Sequence, residues 1–265
     1  MTTWFKAHGL GNDYLVAHDV PGPLTADEVR AVCDRHRGCG GDGVLEPVSS
    51  PDGLAVRIWN PDGSIAEKSG NGLRIFAWWA RRFRGAPAAF PVWVVPASGP
   101  AARVTCEVNG DHVDVELGAG RLVGARRYVL SGVAREAWAV SVGNPHCVVF
   151  VDEDPDALPW REWGALLERH PDFPARTNVQ VARVEAGGLA VRIWERGAGE
   201  TSASGSSACA VAWAAVHTGR LPLGRVEVRM PGGSLTVTVR ADGTLRLAGP
   251  VAPVGFFLPN PAATS

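Results

Sequence analysis

The chain has 265 residues, enough for one large or two small hydrophobic cores. Its 26 basic and 27 acidic side chains leave a formal charge of −1, so no net field recruits nucleic acid or an acidic membrane, and any anion must be bound by local groups. No basic segment followed by an apolar one opens the chain, no apolar run approaches the ~20 residues of a spanning helix, and Cys33, Cys39, Cys106, Cys147 and Cys209 form no CxxC pair; a cytoplasmic protein with reduced thiols is the expectation.

In chain order, short β-rich runs bounded by Gly, Pro or Asp predict strands at Thr3–Lys6, Tyr14–Ala17, Leu54–Trp59, Val92–Val95, Ala102–Glu107 and His112–Glu116. Thr25 is an N-cap for a helix through Arg35, with Asp27 and Glu28 in its first turn. A second helix is predicted from Asn71 to Arg84. Strands follow at Ala137–Val142 and His146–Val151, then a helix from Trp160 to Arg169. Further strands are read at Asn178–Val184, Leu189–Trp194, Arg225–Met230, Ser234–Val239 and Thr244–Leu247, with a helix from Ser206 to His217 stopped by Gly219. The helices at Asn71 and Ser206 are apolar on nearly every face, so each should be the buried centre of a curved sheet. The expected class is α+β, with two pseudo-symmetric domains, each a mostly antiparallel barrel-like sheet around a central helix. Residues 1–118 form the first, the boundary lying near Gly118–Gly120, and 119–254 the second. A strand at Phe256–Leu258, within 255–265, returns to the first half, and the tail after Pro259 is expected to fray.

The pseudo-symmetry is read from a repeat. Arg57-Ile58-Trp59 recurs 135 positions later as Arg192-Ile193-Trp194, and the same offset relates Ser69-Gly70 to Ser204-Gly205 and Ala77-Trp78 to Ala212-Trp213. Each copy runs from an apolar strand through a Gly-rich loop to a Ser-Gly step and a helix. The loops are Asn60 to Ser64 and Glu195 to Thr201. Glycines permit close backbone approach, and the unpaired N–H groups of a helix start form an anion site. Two such starts suit a small carboxylate approached from two sides. The seven histidines are dispersed, no HExxH or paired-Cys spacing exists, and Gly9-Leu-Gly11 lacks the third glycine of a dinucleotide loop, so neither a metal nor an organic cofactor is expected.

Five stretches together resemble the signatures of diaminopimelate epimerases, in the family's order: Phe5 to Asp13, Gly38 to Gly43, Asn60 to Gly72, Gly143 to Cys147 and Trp194 to Thr201. The resemblance implies two pseudo-symmetric domains with the active site in the cleft between them, and a cofactor-free racemase whose two cysteines exchange an α-proton on opposite faces. Here both cysteine positions carry serine, Ser69 and Ser204. Lys68, Ile75, Ser206 and Ser207 also stand where other residues are expected, which favours a natural variant over an engineered double substitution. A thiol with a pKa of ~8.5 is an accessible base, whereas a serine hydroxyl needs a neighbouring base.

Ser69, Ser204, His146 and Glu195 are therefore the candidate catalytic residues. Asp42 and Glu67 are alternative bases, and Lys68 lies beside Ser69. His146 is the candidate general acid, because an unperturbed imidazole serves either role near its pKa of ~6.5. By the resemblance, Asn12, Asn60, Asn144 and Asn178 contact the two ends of the substrate, and Glu195 and Arg196 hold its distal amino and carboxylate groups. Gly70 and Asn71, with Gly205 and Ser206, offer backbone N–H groups to the α-carboxylate. Gly43 stands where some family members place a glutamine. The expected partner is a small amino-acid-like substrate, with no nucleic acid and no membrane, and a homodimer is an open expectation. Three activities stay open: epimerisation of diaminopimelate, a same-fold isomerase or lyase using a carboxylate or His, and a catalytically silent amino-acid-binding protein.

Overall fold

The computed structural model describes residues 3–258; the tail after Pro259 lies outside them. They divide into two compact units, 3–115 with 249–258, and 116–248. The divisions fall a few residues before Gly118 and before 254, because two strands described below run across them.

In the first unit, β1 (Thr3–Gly9) lies between β17 (Ala252–Phe257) and β2 (Asn12–Asp19), antiparallel to both. The sheet continues through β3 (Val44–Val48), β4 (Ala55–Trp59), β5 (Ala89–Val94), β6 (Ala102–Asn109) and β7 (His112–Ala119). The β2–β3 and β4–β5 pairings are parallel. Helix α1 (Ala26–Cys33) starts at Thr25 with a capping box, in which Thr25 and Glu28 each accept from the other's backbone N–H. Helix α2 (Gly70–Phe83) is buried at every position from Asn71 to Ala80, as expected for a helix apolar on all sides.

The second unit repeats the plan. Strands β8 (Arg121–Leu130), β9 (Val133–Ser141), β10 (Pro145–Phe150), β11 (Asn178–Glu185) and β12 (Gly188–Glu195) pair in that order, with β13 (Gly199–Thr201) folded back on β12. β14 (Gly224–Met230) pairs in parallel with β12 and leads into β15 (Gly233–Val239) and β16 (Thr244–Pro250). Helix α3 (Trp160–Glu168) packs on β11 and β12. Helix α4 (Gly205–His217) is buried from Ser207 to Ala215. The 135-residue offset is thus structural: α2 begins at Gly70 and α4 at Gly205.

The two Trp residues of the repeat are anchored alike. Trp59 donates its indole N–H to Glu46 at 2.9 Å, and Trp194 donates to Glu168 at 3.1 Å. Both glutamates are buried, and each is satisfied by further donors: Leu24 N–H and Arg57 for Glu46, Gly197 N–H and Arg176 for Glu168. Burial by itself would raise the Glu168 pKa; the Gly197 and Trp194 hydrogen bonds and the Arg176 charge hold it below the usual value.

Three strands lie outside the sequence expectation. β3 contains Pro47 and the buried Glu46, which break its apolar run. β8 pairs with β9 and is exposed at most positions, so it lacks the alternation that marks a half-buried strand. β13 is three residues inside the Gly-rich loop. Among the described residues, no helix is long and apolar enough to cross a membrane.

Candidate active site

Ser69 and Ser204 owe their positions to helix-end chemistry. The first N–H groups of a helix lack intrahelical partners, and an extended serine at the N-cap accepts one of them. Ser69 (φ −140°, ψ 115°) accepts from Gly72 N–H at 3.0 Å, and Ser204 (φ −148°, ψ 126°) from Ser207 N–H at 3.5 Å. Both side chains are half-buried at the positive end of a buried helix. A helix terminus stabilises a charge by ~0.3–2 kcal/mol, at most about one to one and a half pKa units. That favours an anion at Oγ or beside it, and leaves a hydroxyl far short of a thiol's acidity.

In the first unit, the Tyr14 hydroxyl lies 3.0 Å from Ser69 Oγ. Asn71, one residue into α2, donates to Gly9 O and to Asn12 Oδ1, both at 2.8 Å, and accepts from the buried Arg74. Asn12 in turn donates to Asp42 Oδ2 at 2.7 Å. Asp42 also accepts from Asp13 N–H at 3.1 Å and pairs with Arg35 at 2.7 Å. Arg35 bridges on to Asp13, which meets Lys6 on its other oxygen at 2.8 Å. Burial would raise the Asp13 pKa, but hydrogen bonds from Arg35 and Lys6 override it and bring the carboxyl down to about 2.

In the second unit, the parallel register sets His146 beside Asn178. Asn178 donates to Pro145 O and accepts from Arg196 N–H, both at 3.0 Å, tying the start of β10 to the loop after β12. His146 is 1% exposed; its Nε2 lies 2.9 Å from Asn144 Oδ1 and its Nδ1 3.0 Å from Gln180 Nε2. Gln180 also donates to Ser207 Oγ at 3.0 Å. Ser206 Oγ lies 3.4 Å from Ser204 Oγ. Glu195 is half-buried at the end of β12, and the exposed Arg196 donates to Ala175 O at 3.1 Å. Among the described residues, no group of three or more His, Cys, Asp or Glu is set to hold a metal.

A family model for diaminopimelate epimerase matches residues 4–123 and 138–252. A diaminopimelate epimerase of Desulforudis audaxviator is 43% identical over 92% of this chain and 94% of its own. The chain belongs to the diaminopimelate epimerase family. Diaminopimelate epimerase 2 of a Nostoc strain is 38% identical, covering 90% of this chain and 89% of its own. The solved structure of a "predicted epimerase" from Pseudomonas aeruginosa shares the fold, with a TM-score of 0.73 at 18% identity over 97% of this chain and 98% of that one.

As a member of the diaminopimelate epimerase family, this chain corrects two expectations. His146 is no general acid: burial takes its pKa down to about 3, and both ring nitrogens are engaged inside the unit, so it stays neutral. Asp42 is not an available base, because Arg35, Asn12 and the Asp13 N–H occupy its oxygens. Glu67 and Lys68 are exposed on the loop before Ser69. Asn12 and Asn71 spend their amides on the loop scaffold, and Asn60 closes the Asn60–Ser64 turn by donating to Ser64 Oγ at 2.9 Å. At Gly43 a Cβ would meet Trp59 O at 2.4 Å and the Tyr14 ring at 2.7 Å, so this backbone leaves no room for a side chain there. Sequence reasoning missed Tyr14 and Gln180. Tyr14 reads as an ordinary strand residue; Gln180 left one signal, a polar side chain between Val179 and Val181 in an otherwise apolar run.

Proposed function

We propose that this chain epimerises diaminopimelate, interconverting its LL and meso forms without an organic cofactor or a metal, and that Ser69 and Ser204 stand in for the family's two catalytic cysteines. The 43% identity to a diaminopimelate epimerase over nearly the whole of both chains carries this reading. In it, the two halves are pseudo-symmetric and the substrate sits in the cleft between them, its α-carboxylate on the N–H groups at Gly70, Asn71, Gly205 and Ser206. One Oγ takes the α-proton from one face while the other hydroxyl delivers a proton to the opposite face, so the centre inverts and the proton count of the pair is unchanged. Two observations support it: each serine caps a buried helix with nearly the same backbone angles, and Tyr14 lies within hydrogen-bond reach of Ser69 to share its proton. Asn144, Asn178, Glu195 and Arg196 hold the far end of the substrate.

A second reading, an amino-acid-binding protein without turnover, is favoured by one observation. The neutral His146 and the ion-paired Asp42 supply no strong base in place of the thiols. Incubation with LL-diaminopimelate in D₂O, followed by mass and chiral analysis, separates the two. Inversion with α-deuterium uptake is the expected result; binding without deuterium uptake establishes the silent protein instead.

A further inference from the structure

Gln180 is fully buried in the middle of β11, and neither the family resemblance nor the motifs assign it a role. Its amide nitrogen has two partners, His146 Nδ1 and Ser207 Oγ, both at 3.0 Å, and its Oε1 is buried with none. Which way such an amide points is decided by its network. The NH₂ carries two hydrogens, and both are used in this orientation. The reverse orientation would strand two buried N–H donors, and orphaned donors are rarer than an under-satisfied carbonyl oxygen.

The consequence propagates outward. With Gln180 donating, His146 Nδ1 must accept, so the single proton of the neutral ring is on Nε2. Nε2–H then donates to Asn144 Oδ1 at 2.9 Å, which turns the Asn144 oxygen inward. The half-buried Asn144 is left with its NH₂ as the group it presents, a donor that suits a carboxylate and disfavours an ammonium. Ser207 completes the chain: its hydroxyl accepts the second Gln180 hydrogen, and its backbone N–H reaches Ser204 Oγ at 3.5 Å.

We propose that Gln180 is a positioning residue that sets specificity, fixing the His146 tautomer and through it making Asn144 a donor for a substrate carboxylate. The choice of ligand in the test rests on the diaminopimelate reading above. The experiment uses the full-length ¹⁵N-labelled protein. Long-range ¹H–¹⁵N correlation spectra of His146 report which ring nitrogen carries the proton, and calorimetry measures binding of LL-diaminopimelate, both without requiring turnover. In the parent, the proton is expected on Nε2. In Gln180→Glu the ionised side chain can only accept, so Nδ1 is protonated; where Nε2 gives up its proton, Asn144 turns and binding weakens by about tenfold or more, the scale of a lost hydrogen bond to a charged group, and where Nε2 keeps its proton, as imidazolium or beside a neutral Glu, binding stays as the parent's. In turnover the loss appears in KM more than in kcat.

An Nδ1–H ring in the parent overturns the proposal. So does a Gln180→Glu protein that switches tautomer yet binds as the parent does. Should Gln180→Glu fail to fold, the parent's tautomer still decides the inference. A parent that does not bind diaminopimelate refutes the substrate reading and leaves the tautomer result standing.

Discussion

Replacing Asp13 by Asn tests whether the charge network beneath Asn12 and Asp42 stabilises the first unit. The Asp13 carboxylate is 11% exposed, lies 2.8 Å from Lys6 Nζ and 2.7 Å from Arg35 Nη2, and titrates at about 2 instead of 3.8. At ~1.36 kcal/mol per pKa unit, that difference is worth about 2 kcal/mol to the ionised fold. Because the folded pKa is the lower one, this stability is present above about pH 4 and is lost as the pH falls through about 2. Asp13→Asn should therefore cost about 2 kcal/mol near neutral pH, with an added penalty for Lys6, which is 14% exposed and loses its counter-charge. Urea unfolding of both proteins measures it. The gap between parent and variant should shrink by more than half of that 2 kcal/mol between about pH 7 and pH 2.5. An equal gap at the two pH values refutes the reasoning and assigns the loss to shape or to the orphaned cations.

The double replacement Ser69→Cys with Ser204→Cys should raise the epimerisation rate. An alcohol lies about 7 pKa units above a thiol, and with a Brønsted coefficient near 0.5 the greater basicity recovers about half of that, leaving a net gain of about a thousandfold for the thiol. Deuterium uptake at the α-carbon reads it out, and a slower double variant shows that the serines do something thiols cannot. Gly43→Ala should destabilise the protein by about 1–3 kcal/mol, since the added methyl meets Trp59 O at 2.4 Å, and should lower kcat by displacing Tyr14 from Ser69. A thermal midpoint unchanged from the parent rules out that clash.

Periodicity made much of the molecule legible. The all-apolar helices and the strands between glycines came from patterns that burial enforces, and the 135-residue repeat gave both serine-capped helix starts. β8 escaped because a strand wet on most positions carries no hydrophobic signal, and β3 because a buried Glu46 and Pro47 interrupt its run. The candidate site was legible in residue identity and much less in role. Asn12, Asp42 and Asn71 stand in three separate motifs, and only the packed loops show that their polar atoms are used on one another.

The amino-acid sequence by itself determined the repeat, the family's motifs and the paired Ser69 and Ser204, because these are properties of residue order. Tertiary structure decided which groups can ionise and which way amides point. His146 is neutral because β10 and β11 bury it against Gln180, 34 positions away, and Asp42 is paired because Arg35 reaches it from beyond α1. A pKa or a hydrogen-bond direction is set by neighbours in space and by the loss of water, and neither is written in the local pattern of the chain.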